Sequence, residues 1–307
     1  MTEHSINPDV SIVIVSWRVR ELLQVALTSI ATVTEALHAS NQLLRVETIV
    51  VDNDSGDGTV ESVRAKFSTV RLIANAKNVG FTAANNQGLV FARGRYVLFL
   101  NSDAELVEDG LLRMVEFMDH QPYVGALGPR LENSDGTLQP SCRAFPTFWS
   151  AAAVLLKLQY LWPQALTLRR YLMMSFSYNT LRQVDQIMGA AMLVRRSLLT
   201  TLQGFDERFF LWFEEVDLCK RITAAGYIVM FFPWATVRHH RSSGFRQQRT
   251  LWRQWYFAQS CRRYFWKHRG PLAAVGVSVL SYISLFPALG LAAASRLGLN
   301  LKNSTQS

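Results

Sequence analysis

The sequence predicts an α/β protein, with a mostly parallel sheet flanked by helices and a C-terminal helical segment associated with a membrane. Three observations carry this. Continuous apolar, β-branched runs recur, as strands buried on both faces require. Stretches with helical apolar spacing alternate with them, which is the pattern of βαβ crossovers. Finally, no charged residue occurs over residues 271–295, a run longer than the ~20 residues that cross a bilayer.

The elements follow in order. Residues 10–16 (VSIVIVS) read as a buried strand and residues 21–37 as a helix. Residues 46–51 (VETIVV) form the second strand, ending in the turn-rich DNDSGDGT, and a helix covers residues 59–67. A short strand at 70–74 precedes NVGFTAANNQG, a loop that opens a helix, and residues 96–100 (YVLFL) are the fourth strand. A helix at 111–119 and a strand at 124–130 come next, with NSDG at 133–136 turning a hairpin between residues 130–131 and 138–139. Residues 148–174 read as an amphipathic helical insertion broken in two at Pro163. It either lies on a membrane, covers the active site, or packs as a core helix pair. Strands follow at 185–195, bracketed by Gly189, and at 227–232.

These elements divide the chain into an α/β domain at 1–250, with the insertion at about 146–180, and a basic, aromatic helix with an apolar tail at 251–307. That tail either inserts in the membrane or folds back as a buried hairpin broken at Pro287. Basic residues precede the uncharged run, which puts the domain on the cytoplasmic side of the membrane if the tail inserts.

Composition narrows the partners. Of 307 residues, 49% are hydrophobic, ample for a core, and the net charge of +9 suits anionic partners. The three cysteines, Cys142, Cys219 and Cys261, lie far apart with no CxxC pair, so neither a zinc site nor a disulfide framework is supported. Their use fits a reducing compartment. The N-terminus lacks the apolar stretch of a signal peptide. No GxGxxG follows the first strand, which argues against an NAD site.

In a parallel α/β sheet, ligands bind outside the carboxyl ends of the strands. Here those ends are polar: Ser16, then Asp52 and Asn53, then Asn101, Ser102 and Asp103. Asp103 is a hard ligand suited to Mg²⁺ or Mn²⁺, with Asn101 pointing the same way in an extended chain, unless NSD is only a turn. Asp52 and Asn53 either pair with a base edge or ribose, or start the next helix as an Asx-turn. Asp54 and Asp57 crowd the same loop. Either His239 or His240 completes a metal site, or both are ordinary packed or surface residues; at most one can be a ligand, since neighbours on a strand face opposite ways.

The stretch GFDERFFLWFEEVDLCKR at 204–221 sets Glu214, Glu215 and Asp217 against an aromatic wall, on the first turn of a helix that stops near Gly226. Burial among aromatics raises a carboxyl pKa and makes a better base. The plain alternative is an acidic turn that caps the helix.

Taken in order, VSIVIVSW, VVDNDSGDGT, NVGFTAANNQG, FLNSD, MGAAMLVRR and GFDERFFLWFEEVDLCKR resemble an inverting family 2 glycosyltransferase of the GT-A fold, in its bacterial rhamnosyltransferase-like branch. The resemblance covers roughly residues 10–245. It implies a nucleotide-sugar donor, either dTDP- or UDP-linked, with rhamnose from dTDP-rhamnose as the first expectation. It also implies a divalent cation, Mg²⁺ or Mn²⁺. Asp52 and Asn53 would contact the nucleoside, helped by Ser16, Asn78, Gly80 and Asn85, with Asn101 and Ser102 beside them. Asp103 matches the last acid of the metal motif, and Asn101 stands where that motif has its first Asp. His239 fits the metal-binding histidine, with His240 as its rival.

Glu215 falls at the general base, Glu214 is the fallback, and Asp217 supports the helix or an acceptor hydroxyl. The acceptor would be a lipid-linked saccharide or a polysaccharide, at the cytoplasmic face of the bacterial inner membrane, in lipopolysaccharide or other cell-wall glycan synthesis. Two other classes compete: a non-catalytic glycan- or nucleotide-sugar-binding relative, which would lack the base, and a nucleic-acid-binding protein. Against the latter, many of the basic residues gather near the tail rather than along one exposed face.

Overall fold

Strand β1 (Val10–Ser16) pairs in parallel with β2 (Val46–Asp52) and β4 (Tyr96–Asn101), and β2 pairs in parallel with β3 (Arg71–Ala74). The computed structural model describes residues 7–42, 44–240 and 250–285. Every residue of β1 is buried, as its unbroken apolar run requires. Side chains alternate across the sheet. Ile12 and Ile14 meet helix α1 (Arg20–Ala39), and Val13 faces the opposite layer. Helix α2 (Thr59–Lys66) crosses from β2 to β3 and α3 (Phe81–Phe91) from β3 to β4.

Beyond β4 the sheet order is β11 (Ala191–Arg195), β6 (Val124–Glu132), β12 (Ile228–His239) and β5 (Ala104–Leu106). β11 is antiparallel to both β4 and β6, whereas β12 is parallel to β6. The strands β1, β2, β3, β4, β6 and β12 therefore share one direction, and their carboxyl ends lie along one edge. β5 returns antiparallel to β12, pairing Ala104 with His239. The predicted hairpin is present, with Leu131 of β6 opposite Gln139 of β7 (Leu138–Gln139). β9 (Arg182–Val184) pairs with β12, and β8 (Cys142–Arg143) with β10 (Gln186–Ile187) in a small ribbon of its own. The strand expected over 185–195 is thus two strands, because Gly189 sits where the chain leaves the ribbon to join the sheet.

Helices α1 and α4 (Gly110–His120) cover one face. The other face is covered by α3, α7 (Arg196–Leu202) and α8 (Glu214–Ala224). Among the described residues α1 alone is long and apolar enough to cross a membrane, but it spends its apolar stripe on the sheet through Leu23, Leu27, Ile30 and Leu37.

A third core lies outside the sheet. Helices α5 (Phe148–Leu155), α9 (Thr250–His268) and α10 (Pro271–Ile283) pack around Phe209, Phe213 and Val216. The insertion breaks earlier than Pro163 alone predicts. α5 ends at Leu155, Lys157 turns left-handed at φ 60°, a short 3₁₀ turn covers Leu158–Tyr160, and α6 (Leu166–Tyr171) starts past the proline. Helix α10 has 13 residues, about 20 Å of length against the ~30 Å of a bilayer core. The uncharged run beyond residue 285 lies outside the described residues.

Candidate active site

The strand ends bring the predicted residues to one crevice. Ser16 and Asp52 are register partners at the ends of β1 and β2. Both are buried, and Ser16 Oγ and Asp52 Oδ1 have no hydrogen-bond partner. Asp52 Oδ2 accepts the Ser55 N–H at 3.2 Å. Burial pushes the Asp52 carboxyl above its ordinary range, and the Asp57 and Asp54 charges add to it, outweighing the Ser55 hydrogen bonds. A buried polar atom left unsatisfied costs about 1–3 kcal/mol, so two of them side by side at the ligand end of a sheet mark a place where a ligand bonds.

Asn53 does not share that role. Its amide donates to Asn78 Oδ1 at 3.0 Å and to the Gly80 carbonyl at 3.2 Å, and its oxygen accepts from Asn75 Nδ2 at 3.2 Å and Val79 N at 3.0 Å. Two donors and two lone pairs are all used. Asn53 therefore clamps the 78–80 loop and is not available to a nucleoside. Asn78 closes the same clamp, accepting from Gly80 N at 2.9 Å. Gly80 is required sterically: at φ 91° a Cβ would lie 2.6 Å from the Phe210 ring. Asn85 is buried in α3 and donates to Phe81 O at 2.9 Å. The crowding acid Asp57 caps two helices, accepting from Thr59 N at 3.1 Å and Arg20 N at 3.2 Å.

Asp103 and His239 meet across the β5–β12 pairing, with His239 Nε2 3.2 Å from Asp103 Oδ1 and 3.3 Å from Asn101 Nδ2. Ser102 is half-buried in the turn between them. The other imidazole nitrogen, Nδ1, lies 2.7 Å from Gln139 Oε1. Gln139 Nε2 donates to Asn133 Oδ1 at 2.8 Å, which fixes the amide with its oxygen toward the ring. His239 Nδ1 is then a donor, which leaves Nε2 as the nitrogen that faces Asp103 Oδ1 and Asn101 Nδ2. An imidazole nitrogen and a carboxylate oxygen set side by side are both ligand types for a divalent ion such as Mn²⁺, so the residues fit one. His240 is not a ligand. It bonds Glu105 Oε1 through Nε2 and lies 2.7 Å from Ser134 Oγ through Nδ1, on the opposite side of the strand. Among the described residues no cluster of three or more His, Cys, Asp or Glu is placed to hold a metal. Asp103 and His239 would leave most of an ion's coordination sphere to substrate phosphates and water, as Mg²⁺ usually has it.

Glu214 and Glu215 open α8. Two bulky residues before them, Trp212 at φ 62° and Phe213 at φ 67°, are left-handed, a strain of about 1–3 kcal/mol each. Helix α9 holds them there: the Phe257 ring packs on Trp212 and Phe213, Tyr264 packs on Phe213, and Ser260 Oγ donates to Leu211 O at 2.8 Å. The bend turns both carboxyls inward, and each keeps an Oε2 with no partner. Glu215 Cβ lies 3.6 Å from where a Cβ on Gly189 would be, and Ala190 O accepts Asn101 N at 2.9 Å. Glu215 therefore borders the Asn101 strand end.

Burial raises both carboxyls. Glu215 adds its charge to the rise on Glu214, while the Arg143 guanidinium offsets part of the rise on Glu215. Two neighbouring buried carboxyls therefore resist carrying two charges at once. Sequence reasoning missed Arg143, which the β8–β10 ribbon delivers from far along the chain.

A pH test follows. Below the ordinary Glu value of 4.5, Glu214 is protonated whether folded or not, so burial carries no ionisation penalty. Above it the unfolded chain ionises while the folded one resists, and stability falls as pH rises toward the raised folded value. Glu214→Gln should therefore raise the melting temperature at pH 7 and leave it unchanged near pH 4. An equal shift at both pH values would remove the ionisation account.

Asp217 takes the helix-support role. It is fully buried, with carboxylate contacts of 2.7 Å to each of Arg221, Lys267 and His268. Those partners tie α8 to α9 and engage both carboxylate oxygens.

The chain is 28% identical over 208 residues to the N-acetylglucosaminyl-diphospho-decaprenol L-rhamnosyltransferase of Mycobacterium tuberculosis, covering 64% of this chain and 67% of that protein. It is 25% identical over 184 residues to rhamnosyltransferase WbbL of Escherichia coli, covering 56% of this chain and 66% of that one. In fold it is similar to the mannosyltransferase PcManGT from Pyrobaculum calidifontis, solved with GDP-Man and Mn²⁺, at a TM-score of 0.57 and 18% identity over 97% of this chain and 82% of that one. The family models for glycosyl transferase family 2 and glycosyl transferase family group 2 match residues 11–176 and 96–301. Matches over more than half the chain, on a sheet whose strand ends carry this crevice, make the protein a glycosyltransferase of glycosyl transferase family 2, with the GT-A fold.

Proposed function

We propose that the protein transfers a sugar, with rhamnose from dTDP-rhamnose as the first candidate, to a lipid-linked saccharide in bacterial cell-surface glycan synthesis, with inversion at the anomeric carbon. One observation carries the reading: buried polar atoms without partners stand at the carboxyl ends of the strands and at the head of α8. They are Ser16 Oγ and Asp52 Oδ1 at the ends of β1 and β2, and the Oε2 atoms of Glu214 and Glu215. The rhamnosyl activity of the Mycobacterium tuberculosis and Escherichia coli relatives supports the choice of sugar, and the first relative's name supports a polyprenyl-diphosphate acceptor.

In this reading Ser16 and Asp52 bind the nucleoside. Asp103 and His239 would hold Mg²⁺ or Mn²⁺, which when bound offsets the charge of the leaving diphosphate. Glu215 accepts the proton of the acceptor hydroxyl, and that oxygen bonds the anomeric carbon from the face opposite the diphosphate. The bond to the diphosphate breaks with its electron pair, and the nucleoside diphosphate departs. One displacement inverts the centre. Glu214 is the neighbouring carboxyl, and the raised pair leaves room for one negative charge rather than two.

The test is donor binding by dTDP-, UDP- and GDP-sugars with and without Mn²⁺ or Mg²⁺. One nucleotide sugar should bind in a metal-dependent way, and Asp103→Ala should remove that dependence. Equal affinity with and without metal in the unaltered protein would refute the role of Asp103.

A further inference from the structure

On the side away from the sheet, α5, α6 and α10 enclose an open groove of about 740 Å³. Its walls are apolar, with Ala152, Leu156, Leu168 and Leu280 among the side chains that line it and Thr167 the one hydroxyl. Around it the surface stays apolar and aromatic: Trp149, Leu161, Trp162, Leu166, Val279 and Leu272 are all exposed, Leu272 at 91%. Single exposed apolar residues are ordinary, whereas a contiguous patch of this kind marks a docking surface.

Charge identifies what docks. No Asp or Glu lies between Asp135 and Asp185, and none follows Asp217. Bases sit within the same walls: Lys157 between the lining residues Leu156 and Leu158, and Arg169 and Arg170 directly after Leu168. Arg262 lies over the rings of Trp255 and Tyr282, at 5.5 and 4.9 Å. Among the described residues none of these four cations has a carboxylate ion pair. Exposed apolar side chains, interfacial Trp and Tyr, and unpaired bases with no acid among them are the composition of a face that meets anionic headgroups and the acyl chains below them. A nucleic acid would use the bases and leave the apolar side chains in water.

We propose that the face formed by α5, α6 and α10 docks on an anionic lipid bilayer and presents a lipid-borne acceptor to the crevice. The route is short. Tyr171 at the end of α6 accepts the Ala144 N–H at 3.0 Å, next to Arg143, whose charge acts on Glu215. The inference rests on the glycosyltransferase reading for its purpose, but the surface itself is read from exposure and charge alone.

The experiment is flotation of the full chain with vesicles of phosphatidylcholine alone and of an equal mixture with phosphatidylglycerol, run beside a nucleotide-sugar binding assay. The mixed vesicles should carry the protein, and raised salt should weaken the binding. Trp162→Glu and Leu272→Glu should each lower vesicle affinity about tenfold or more while nucleotide-sugar binding stays unchanged. Two results overturn the proposal: variants that float like the parent, or a parent that binds nucleotide sugar and no vesicles. If the same variants instead dissociate a dimer in sedimentation, the face belongs to a second copy and the membrane assignment falls. Flotation without binding of any nucleotide sugar would sink the donor reading and leave the surface standing.

Discussion

Glu215→Gln should leave nucleotide-sugar binding intact and lower sugar transfer by about 10²–10⁴-fold, the usual worth of a positioned base. The amide fills the same space beside Gly189 but cannot take a proton. Glu214→Gln should keep most of the transfer, because the proposed base stays intact and an amide imitates the protonated partner of a pair that carries one charge. The contrast is the point of the experiment: loss in the Glu214 variant with retention in the Glu215 variant would move the base by one residue.

The pH profile adds an independent check. Burial lifts Glu215 above the ordinary carboxyl range, and Arg143 offsets only part of that. The acid limb of transfer should therefore lie above the ordinary Glu value of 4.5. Arg143→Gln, by removing the offsetting charge, should move that limb further up. A limb that stays in place would mean that Arg143 does not act on the base.

Asp217→Asn should destabilise the fold by about 3–5 kcal/mol, the cost of breaking a buried ion pair and stranding its partners. The carboxylate is fully buried, and Arg221, Lys267 and His268 are all less than one quarter exposed. Burial alone would raise the Asp217 pKa, but the hydrogen bonds from His268 and Lys267 and the Arg221 charge hold it below its ordinary 3.8. A lowered folded value contributes stability above the unfolded value, and that stability is lost as pH falls through the folded one. The deficit of the variant should thus be complete at pH 7 and shrink below pH 3.8, as read from denaturant melts at both ends. A deficit under about 1 kcal/mol at pH 7 would match an exposed pair and deny the cluster its role. Because α9 props the left-handed Trp212 and Phe213, loosening it should also lower transfer without changing which residue is the base.

Much of the fold was legible in the sequence for a physical reason: its signals are local. The run at Val10–Ser16 can only be a strand buried on both faces, and the helices around it show their 3.6-residue period. Motif order, from the strand end at Asp52 to the acidic pair at Glu214 and Glu215, identified the family without coordinates. What sequence reasoning could not reach depends on groups that meet from far apart. Asn53 was read as a nucleoside contact, yet partners 22 to 27 residues away saturate it. His239 and His240 were indistinguishable until β12 paired with β5 and turned one toward Asp103 and the other toward Glu105.

The sequence by itself determined the class of the protein, the strand ends that carry its crevice and the acids at the head of α8, because periodicity and order along the chain suffice for these. Tertiary structure alone decided which polar atoms stay unsatisfied, which carboxyls are raised together and which acid is a strut. Hydrogen-bond saturation and burial belong to the packed whole, and residues such as Arg143 and His268 enter the site only when the chain folds them there.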